Sequence, residues 1–315
     1  MGVTVVCGRS GSGKSRYIMA HIKALIADPF ARVLVIVPGQ LTFETEKHIM
    51  EACGVEGIFG LQVLSIQRLA AKVIEDTGAC EFITGAERAM IASRALSMMA
   101  QPFHGADSQP DFEACAAELI ARLKGHRQTP QNLRNAAGSL RDAALRQKLR
   151  DTAELLENYD AICAGRVDFA DIYAVAAQRA QGANLLRGAH IVIDGLDSTS
   201  PAVMAFISKA AALSAGTVAA FRGSCGGGDD ALFASEHADM LRFIEAVKQA
   251  GQQVAQVRCG PANRHAEKAL SFLEANLYKY PYTQFAGAPE GVALTEAQTP
   301  EEEIDALCAG ILAEV

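Results

Sequence analysis

The sequence predicts an α/β fold: a parallel sheet carrying a phosphate-binding loop, a mostly helical inserted domain, and the start of a further α/β unit. Three observations predict it. Short apolar, β-branched runs, clearest at residues 3–7 and 32–38, have the composition of buried parallel strands. A glycine-rich loop joins the first run directly to a helical pattern. From residue 85 to 165 apolar residues fall three and four apart in an Ala- and Leu-rich stretch, which is helical spacing.

At about 100–200 residues per domain, 315 residues leave room for two or three domains. Half the chain is hydrophobic and 21% is charged, an ordinary globular mix that excludes a disordered chain, a collagen-like repeat and a disulfide-rich miniprotein. Lys and Arg total 29 against 36 Asp and Glu, a formal charge of −7. That excludes a uniformly basic nucleic-acid binder while leaving room for a local basic face. The eight cysteines contain no Cys-x-x-Cys pair and read as reduced thiols of a cytoplasmic protein, not as a zinc ribbon or redox motif. Residues 1–4 open without a basic region and apolar stretch, and no apolar run approaches the roughly 20 residues needed to span a bilayer. Neither export nor membrane insertion is expected.

The first strand runs into Gly8, Arg9, Ser10, Gly11, Ser12, Gly13, Lys14 and Ser15, the G-x-x-x-x-G-K-S pattern in its strand-loop-helix setting. Glycines let the backbone turn tightly and aim successive N–H groups at phosphate oxygens, and the helix expected over 14–27 adds its positive end. Lys14 is expected to reach the β and γ phosphates of ATP, and Ser15 to place its hydroxyl on Mg²⁺.

Further strands are expected at 32–38, ended by Pro38, at 61–65, and at 190–194. The last ends in Asp194, an acid positioned to orient Mg²⁺ or its water, because ligands of such sheets lie outside the carboxyl ends of the strands. A solvated strand end is the rival reading. Lys14 and Asp194 form the candidate catalytic pair, and Ser15 and Asp194 the candidate metal ligands. Gly195, Leu196 and Asp197 follow where vigorous DNA motors carry Glu, so nucleotide binding without fast turnover is plausible. Asp197 could substitute only by coming within about 3 Å of the attacking water.

Along the chain, residues 1–84 and 166–225 are expected to form the ATP-binding domain and 85–165 the helical insert. Helices are expected at 87–100, 112–125 and 139–163, with a turn-rich loop at 101–107. Residues 122–150 carry Arg122, Lys124, Arg127, Arg134, Arg141, Arg146, Lys148 and Arg150 against the single acid Asp142. Such a run reads as a DNA-backbone contact with steep salt dependence, or as a solvated helix face. No aromatic residue interleaves with it, so base stacking there is not expected. After a helix at 201–213 and a strand at 216–221, residues 222–228 mark a joint. Residues 226–315, with helices at 236–251, near 264–278 and from 300, and strands at 253–258 and 291–294, read as the beginning of a further, truncated α/β domain.

Four ordered blocks then coincide: residues 8–15, Val-Pro-Gly-Gln-Leu-Thr-Phe-Glu-Thr-Glu at 37–46, Val-Leu-Ser-Ile-Gln-Arg-Leu-Ala at 63–70, and Ile-Asp-Gly at 193–195. Together they resemble the N-terminal part of the AddB family, second subunits of bacterial AddAB ATP-dependent helicase/deoxyribonucleases; Pro300, Glu301, Glu302, Glu303 and Ile304 are similar to the start of that family's next motor-like domain. The resemblance covers essentially the whole chain. It implies a RecA-like, superfamily-one helicase-like core with a helical insert, pairing with an AddA-like subunit, and a part in resecting DNA double-strand breaks for homologous recombination. It also implies contact with single- and double-stranded DNA. The family's nuclease and iron-sulfur cluster belong to its C-terminal part, so no cysteine here is assigned to a cluster. Gln40 falls where the family commonly has Pro-Glu-Gln, with Gly39 departing from it, and is a candidate nucleotide contact. Thr42 and Phe43, and Ser65 with Arg68, fall where helicase-like folds place DNA-backbone contacts. Hydroxyls and an Arg suit phosphate oxygens and position a strand without reading its sequence; a helix cap at Thr42 and a surface charge at Arg68 are the alternatives. With Arg141, Arg146 and Lys148 these are the candidate DNA contacts. The competing functions are a non-hydrolysing P-loop scaffold for a motor partner and a P-loop kinase acting on a small hydroxyl substrate.

Overall fold

The structure, a computed structural model, describes residues 2–55, 57, 59–100, 103, 111–196, 199–223, 232–260 and 267–314. Asp197, Cys225, the joint expected around 225 and most of the loop at 101–107 lie outside the described residues.

The chain begins with β1 (Gly2–Gly8), α1 (Lys14–Ile26), β2 (Val33–Ile36), α2 (Thr42–Cys53), β3 (Leu61–Leu64) and α3 (Ile66–Asp76). It then leaves the sheet through β4 (Phe82–Ile83), α4 (Gly85–Ser97), α5 (Phe112–Gly125), α6 (Pro130–Ser139), α7 (Ala143–Ile162), β5 (Val167–Asp168) and α8 (Ile172–Arg179). It returns through β6 (His190–Asp194), α9 (Pro201–Leu213), β7 (Gly216–Arg222), α10 (Ala234–Gln249) and β8 (Gln253–Arg258), followed by α11 (Lys268–Asn276) and α12 (Pro300–Glu314).

Six strands form one sheet in the order β3-β2-β6-β7-β1-β8, every pair parallel. The strands read as continuous apolar runs because both faces are covered. On one face Val33, Val35 and Val37 meet Ile18 and Ile22 of α1 and Ile49 of α2. On the other, Leu34 and Ile36 join a larger core that includes Leu69 of α3, Phe206 of α9 and Phe243 of α10. This is the α/β architecture with a parallel sheet that the sequence predicts, and it is consistent with a RecA-like fold.

Four expectations are corrected. α10 and β8, read from the sequence as the opening of a further domain, belong to the first sheet: β8 pairs with β1 from Gly2–Gln253 to Cys7–Arg258. Sheet membership is set by a partner some 250 residues away, which local pattern does not record. Residues 291–294, read as a strand, are exposed and outside any strand. The helix expected over 139–163 begins only at Ala143, because Asp142 accepts the N–H groups of Ala144 and Leu145 to start α7, and α6, started by Thr129 and Pro130, is a further helix that was not expected. Cys7 is disulfide-bonded, against the expectation of uniformly reduced thiols.

Helices α4, α5, α6 and α7 enclose a core of their own, with Ile91, Leu96, Ile120, Leu133, Leu156 and Tyr159. The chain leaves for these helices and comes back beside itself, since β4 pairs in parallel with β5. A buried carboxylate pins that junction. Asp168 is fully enclosed and takes Arg88 Nη2 at 2.8 Å, the Tyr159 hydroxyl at 2.8 Å and the Ala170 N–H at 3.1 Å. Removing one partner of a buried ion pair leaves the other charge uncompensated, which costs about 3–5 kcal/mol. Arg88→Met is therefore expected to lower the unfolding free energy in urea by about 3 kcal/mol or more, and Tyr159→Phe by about 1 kcal/mol. A loss under about 1 kcal/mol for Arg88→Met would contradict this role for Asp168.

Candidate functional site

The carboxyl ends of β6, β7, β1 and β8 open onto a cavity of about 960 Å³. Its wall includes Ser10, Gly11, Ser12, Gly13, Lys14 and Ser15 from the loop after β1, Asp194 from β6, Arg222 from β7 and Arg258 from β8. Parallel pairing puts all of these on one edge, because each strand must return by a crossover before it can pair again.

The loop has the backbone that anion binding requires. Gly11 and Gly13 lie at φ 77° and 93°, a left-handed region open to glycine at little cost, and Gly13 is the N-cap of α1. No side chain caps α1, so its first N–H groups face the cavity side of the loop unopposed by a carboxylate. Gly8 is required for a different reason: a Cβ there would lie 2.2 Å from Ser12 Oγ. Ser12 is buried, and its hydroxyl has no hydrogen-bond partner among the described residues. An unpaired buried hydroxyl inside a nest of amides fits a phosphate oxygen as its missing acceptor.

Lys14 Nζ donates to the carbonyls of Gly8 at 2.6 Å and Arg9 at 2.8 Å, folded back over its own loop. Burial lowers its pKa, with the Asp194 carboxylate acting in the opposite direction. Asp194 is likewise half-buried; burial raises its pKa, while Lys14 and Arg222 pull it down. Both charges are thus partly desolvated and face each other across the cavity, where their interaction is stronger than in water. Among the described residues no group of three or more His, Cys, Asp or Glu is arranged to hold a metal ion. A Mg²⁺ ion would be held by Ser15 and Asp194 together with phosphate oxygens and water, the mode this small, strongly hydrated cation favours.

The other expected contacts separate. The Arg9 side chain does not line the cavity: its Nε donates to Glu274 Oε1 of α11 at 2.6 Å, and its guanidinium lies 5.5 Å from the Phe233 ring centre. Gln40 is exposed on the turn Gly39–Leu41 and is not part of the cavity wall, although Pro38 and Leu41 beside it are. Gly195 has φ 97°, and a Cβ there would approach Pro38 Cδ to 3.2 Å. The missing Glu after Asp194 is therefore a property of the backbone, since a Glu at this position would be strained.

Among the expected DNA contacts, Arg68 and Phe43 are exposed, Phe43 at 76%. Ser65, expected as a DNA-backbone contact, is buried and caps α3, its hydroxyl accepting the Arg68 N–H at 3.2 Å. Thr42 donates its hydroxyl to the Gly39 carbonyl at 3.0 Å. Three cations of the basic run pair with acids from outside it. Arg122 pairs with Glu118 at 2.6 Å, Arg134 with Glu157, and the buried Lys124 with Asp160 at 2.7 Å and with Asp171. Arg146 turns inward to the Leu140 carbonyl at 2.9 Å, so it does not present its charge as expected. Arg141 and Lys148 remain exposed, without an ion pair among the described residues.

Sequence reasoning missed Arg222 and Arg258. The available signal was a cation at the end of each strand flanking β1, but residue 222 reads locally as part of a joint.

If the loop holds phosphate, Lys14→Ala is expected to weaken Mg·ATP binding about 10- to 100-fold, the worth of a charge-assisted hydrogen bond. Its circular dichroism and urea midpoint should match the parent, because Lys14 bonds only to carbonyls of its own loop. Unchanged affinity would contradict the assignment.

The family model described as "ADDB, N-terminal" matches residues 5–274. Over 330 residues and 99% of its length the chain is 29% identical to the B-type subunit of an ATP-dependent helicase/deoxyribonuclease of Desulforudis audaxviator. It is 28% identical over 342 residues to the protein so named in Moorella thermoacetica and 26% over 326 residues to one in Clostridium perfringens. The chain spans 28–29% of the length of these relatives. With the model matching well over half of it, the chain belongs to the AddB N-terminal family.

Proposed function

We propose that this chain binds Mg·ATP at the carboxyl edge of its sheet and engages DNA as the N-terminal, helicase-like portion of a helicase/deoxyribonuclease subunit. The observation that carries this reading is the loop at 8–15, with its left-handed glycines, orphaned Ser12 hydroxyl and Lys14 opposite Asp194. The relatives, named as subunits of an ATP-dependent helicase/deoxyribonuclease, supply the DNA context. In this reading the partner is an AddA-like subunit, the substrate is single- or double-stranded DNA, and the setting is break repair by homologous recombination in the cytoplasm. Among the described residues no helix is long and apolar enough to cross a membrane.

The chemistry of the chain's own residues follows from their placement. Backbone amides at 11–14 orient the polyphosphate, Lys14 leaves its two carbonyls for phosphate oxygens, and Ser15 with Asp194 fixes the cation. Mg²⁺ supplies charge neutralisation at those oxygens. The step left without an assigned residue is alignment of the attacking water, because Gly195 stands where a motor carries its acid. That observation favours a second reading, a scaffold that binds ATP without turning it over while a partner supplies the motor.

The two readings separate by measuring ATP turnover with and without single-stranded DNA beside direct Mg·ATP binding. Binding with turnover below about 10⁻² s⁻¹, far under the usual enzymatic range of about 1–10³ s⁻¹ and unaffected by DNA, is the outcome expected from Gly195. DNA-stimulated turnover would establish a working motor site, and turnover stimulated instead by a small hydroxyl compound would establish a kinase.

For DNA, Arg141→Gln with Lys148→Gln should shallow the salt slope of single-strand binding by about 1 to 1.5, at about 0.7 per phosphate contact. Arg146→Gln should leave the slope unchanged, since its guanidinium is spent on carbonyls. Equal slopes for the double variant and parent would make the exposed pair a solvated face.

A further inference from the structure

We propose that Arg222 makes the cavity selective for a nucleoside triphosphate over a diphosphate by placing a second cation beside Lys14 on the terminal phosphate. The inference rests on the nucleotide reading above and assigns a role to a residue that reading does not use.

Its position comes from strand order. β7 lies between β1, which carries the phosphate loop, and β6, which carries Asp194. In register, Arg222 stands opposite Gly8, and Asp194 opposite Ala220. Arg222 therefore projects two residues beyond the level of Asp194, one strand over from the root of the loop. A polyphosphate held at its inner end by the amides at 11–14 and directed toward the cation site at Asp194 must cross the end of β7. The group that crosses is the third, γ phosphate, which a diphosphate lacks.

The second observation is that the Arg222 charge is exposed and uncommitted. Its side chain has no ion pair or hydrogen bond among the described residues, whereas Arg9 nearby is held by Glu274. Its charge is nonetheless felt at both Lys14 and Asp194. Among the described residues the cavity wall holds four cations, Lys14, Arg16, Arg222 and Arg258, against one carboxylate, Asp194, in a chain whose net charge is −7. Like charges gathered in a partly desolvated cavity repel one another until an anion is set among them. Arg is suited to that anion, since its planar fork can give two parallel N–H bonds to phosphate oxygens.

Arg258 is the internal control. It carries the same charge into the same cavity but stands at the end of β8, on the side of β1 away from Asp194. A general electrostatic effect would make the two arginines equivalent, while a positional one would not.

The test measures, by calorimetry on the 315-residue chain, the affinities of Mg·ADP and of Mg with the β,γ-imido analogue of ATP. Arg222→Gln is expected to weaken the triphosphate analogue about 10- to 100-fold and ADP by less than about threefold. Arg258→Gln should change both by the same factor. Retained ADP affinity reports that the Arg222 variant keeps its fold and its loop, and Arg222→Lys, preserving a charge without the fork, should recover part of the selectivity. Equal weakening of both nucleotides by Arg222→Gln, no weakening of either, or the same selectivity change from Arg258→Gln would overturn the inference while leaving nucleotide binding intact. A parent chain that binds neither nucleotide would overturn the nucleotide reading itself, and the role of Arg222 with it.

Discussion

The parallel pairing of β1 with β7, and of β7 with β6, is the constraint on which the rest of the molecule depends. A parallel partner cannot be reached by a tight turn, so the chain must climb back along the outside of the sheet before each pairing. The helices that make those returns cover both faces, which is why the strands are apolar throughout. The same constraint gathers every strand-to-helix turn on one edge. Gly8, Asp194 and Arg222 are separated by up to 214 residues in sequence yet stand on adjacent strands, with Gly8 and Arg222 in direct register.

The excursion through α4–α7 leaves that edge undisturbed. Both ends of it are held by the β4–β5 pair, and the junction is locked by Asp168 with Arg88 and Tyr159. Lys124 extends the same network, since burial opposes its charge while Asp171 and Asp160 together hold its pKa above the ordinary value. The helices have their own core, and they meet the sheet-covering layer both at this junction and where α5 approaches α9. Buried charge of this kind contributes little net stability, and its effect is to make one arrangement of the junction much better than its alternatives.

How much of this was legible in the sequence depended on whether the determining partner was local. The strand-loop-helix at 2–26 was legible because its glycines stand at fixed spacing between a strand and a helix that are themselves local patterns. The place of Asp194 at the carboxyl end of a strand was legible from the apolar run before it. The place of β8 was not, because the run at 253–258 looks the same whether it opens a new sheet or closes an old one. β4 and β5, at two residues each, are too short to leave a periodic trace. The net charge of the basic run overstated its free charge, because Glu118, Glu157, Asp160 and Asp171, which pair with Arg122, Arg134 and Lys124, lie outside the stretch whose charge was counted. Ser65 misled because a serine at a strand end has the same local appearance whether it caps the next helix or faces a ligand. Arg222 was visible as a cation after an apolar strand, but its meaning came only from knowing which strand lay beside it.

The central claim is that the loop at 8–15 is a preformed phosphate cradle, and amide hydrogen exchange of that segment with and without Mg·ATP tests it most directly. Bound phosphate should slow exchange at the amides of Gly11, Ser12, Gly13 and Lys14, and leave the α4–α7 helices unchanged. Exchange in this loop that is identical with and without Mg·ATP, at a concentration saturating for a P-loop site, would contradict the assignment.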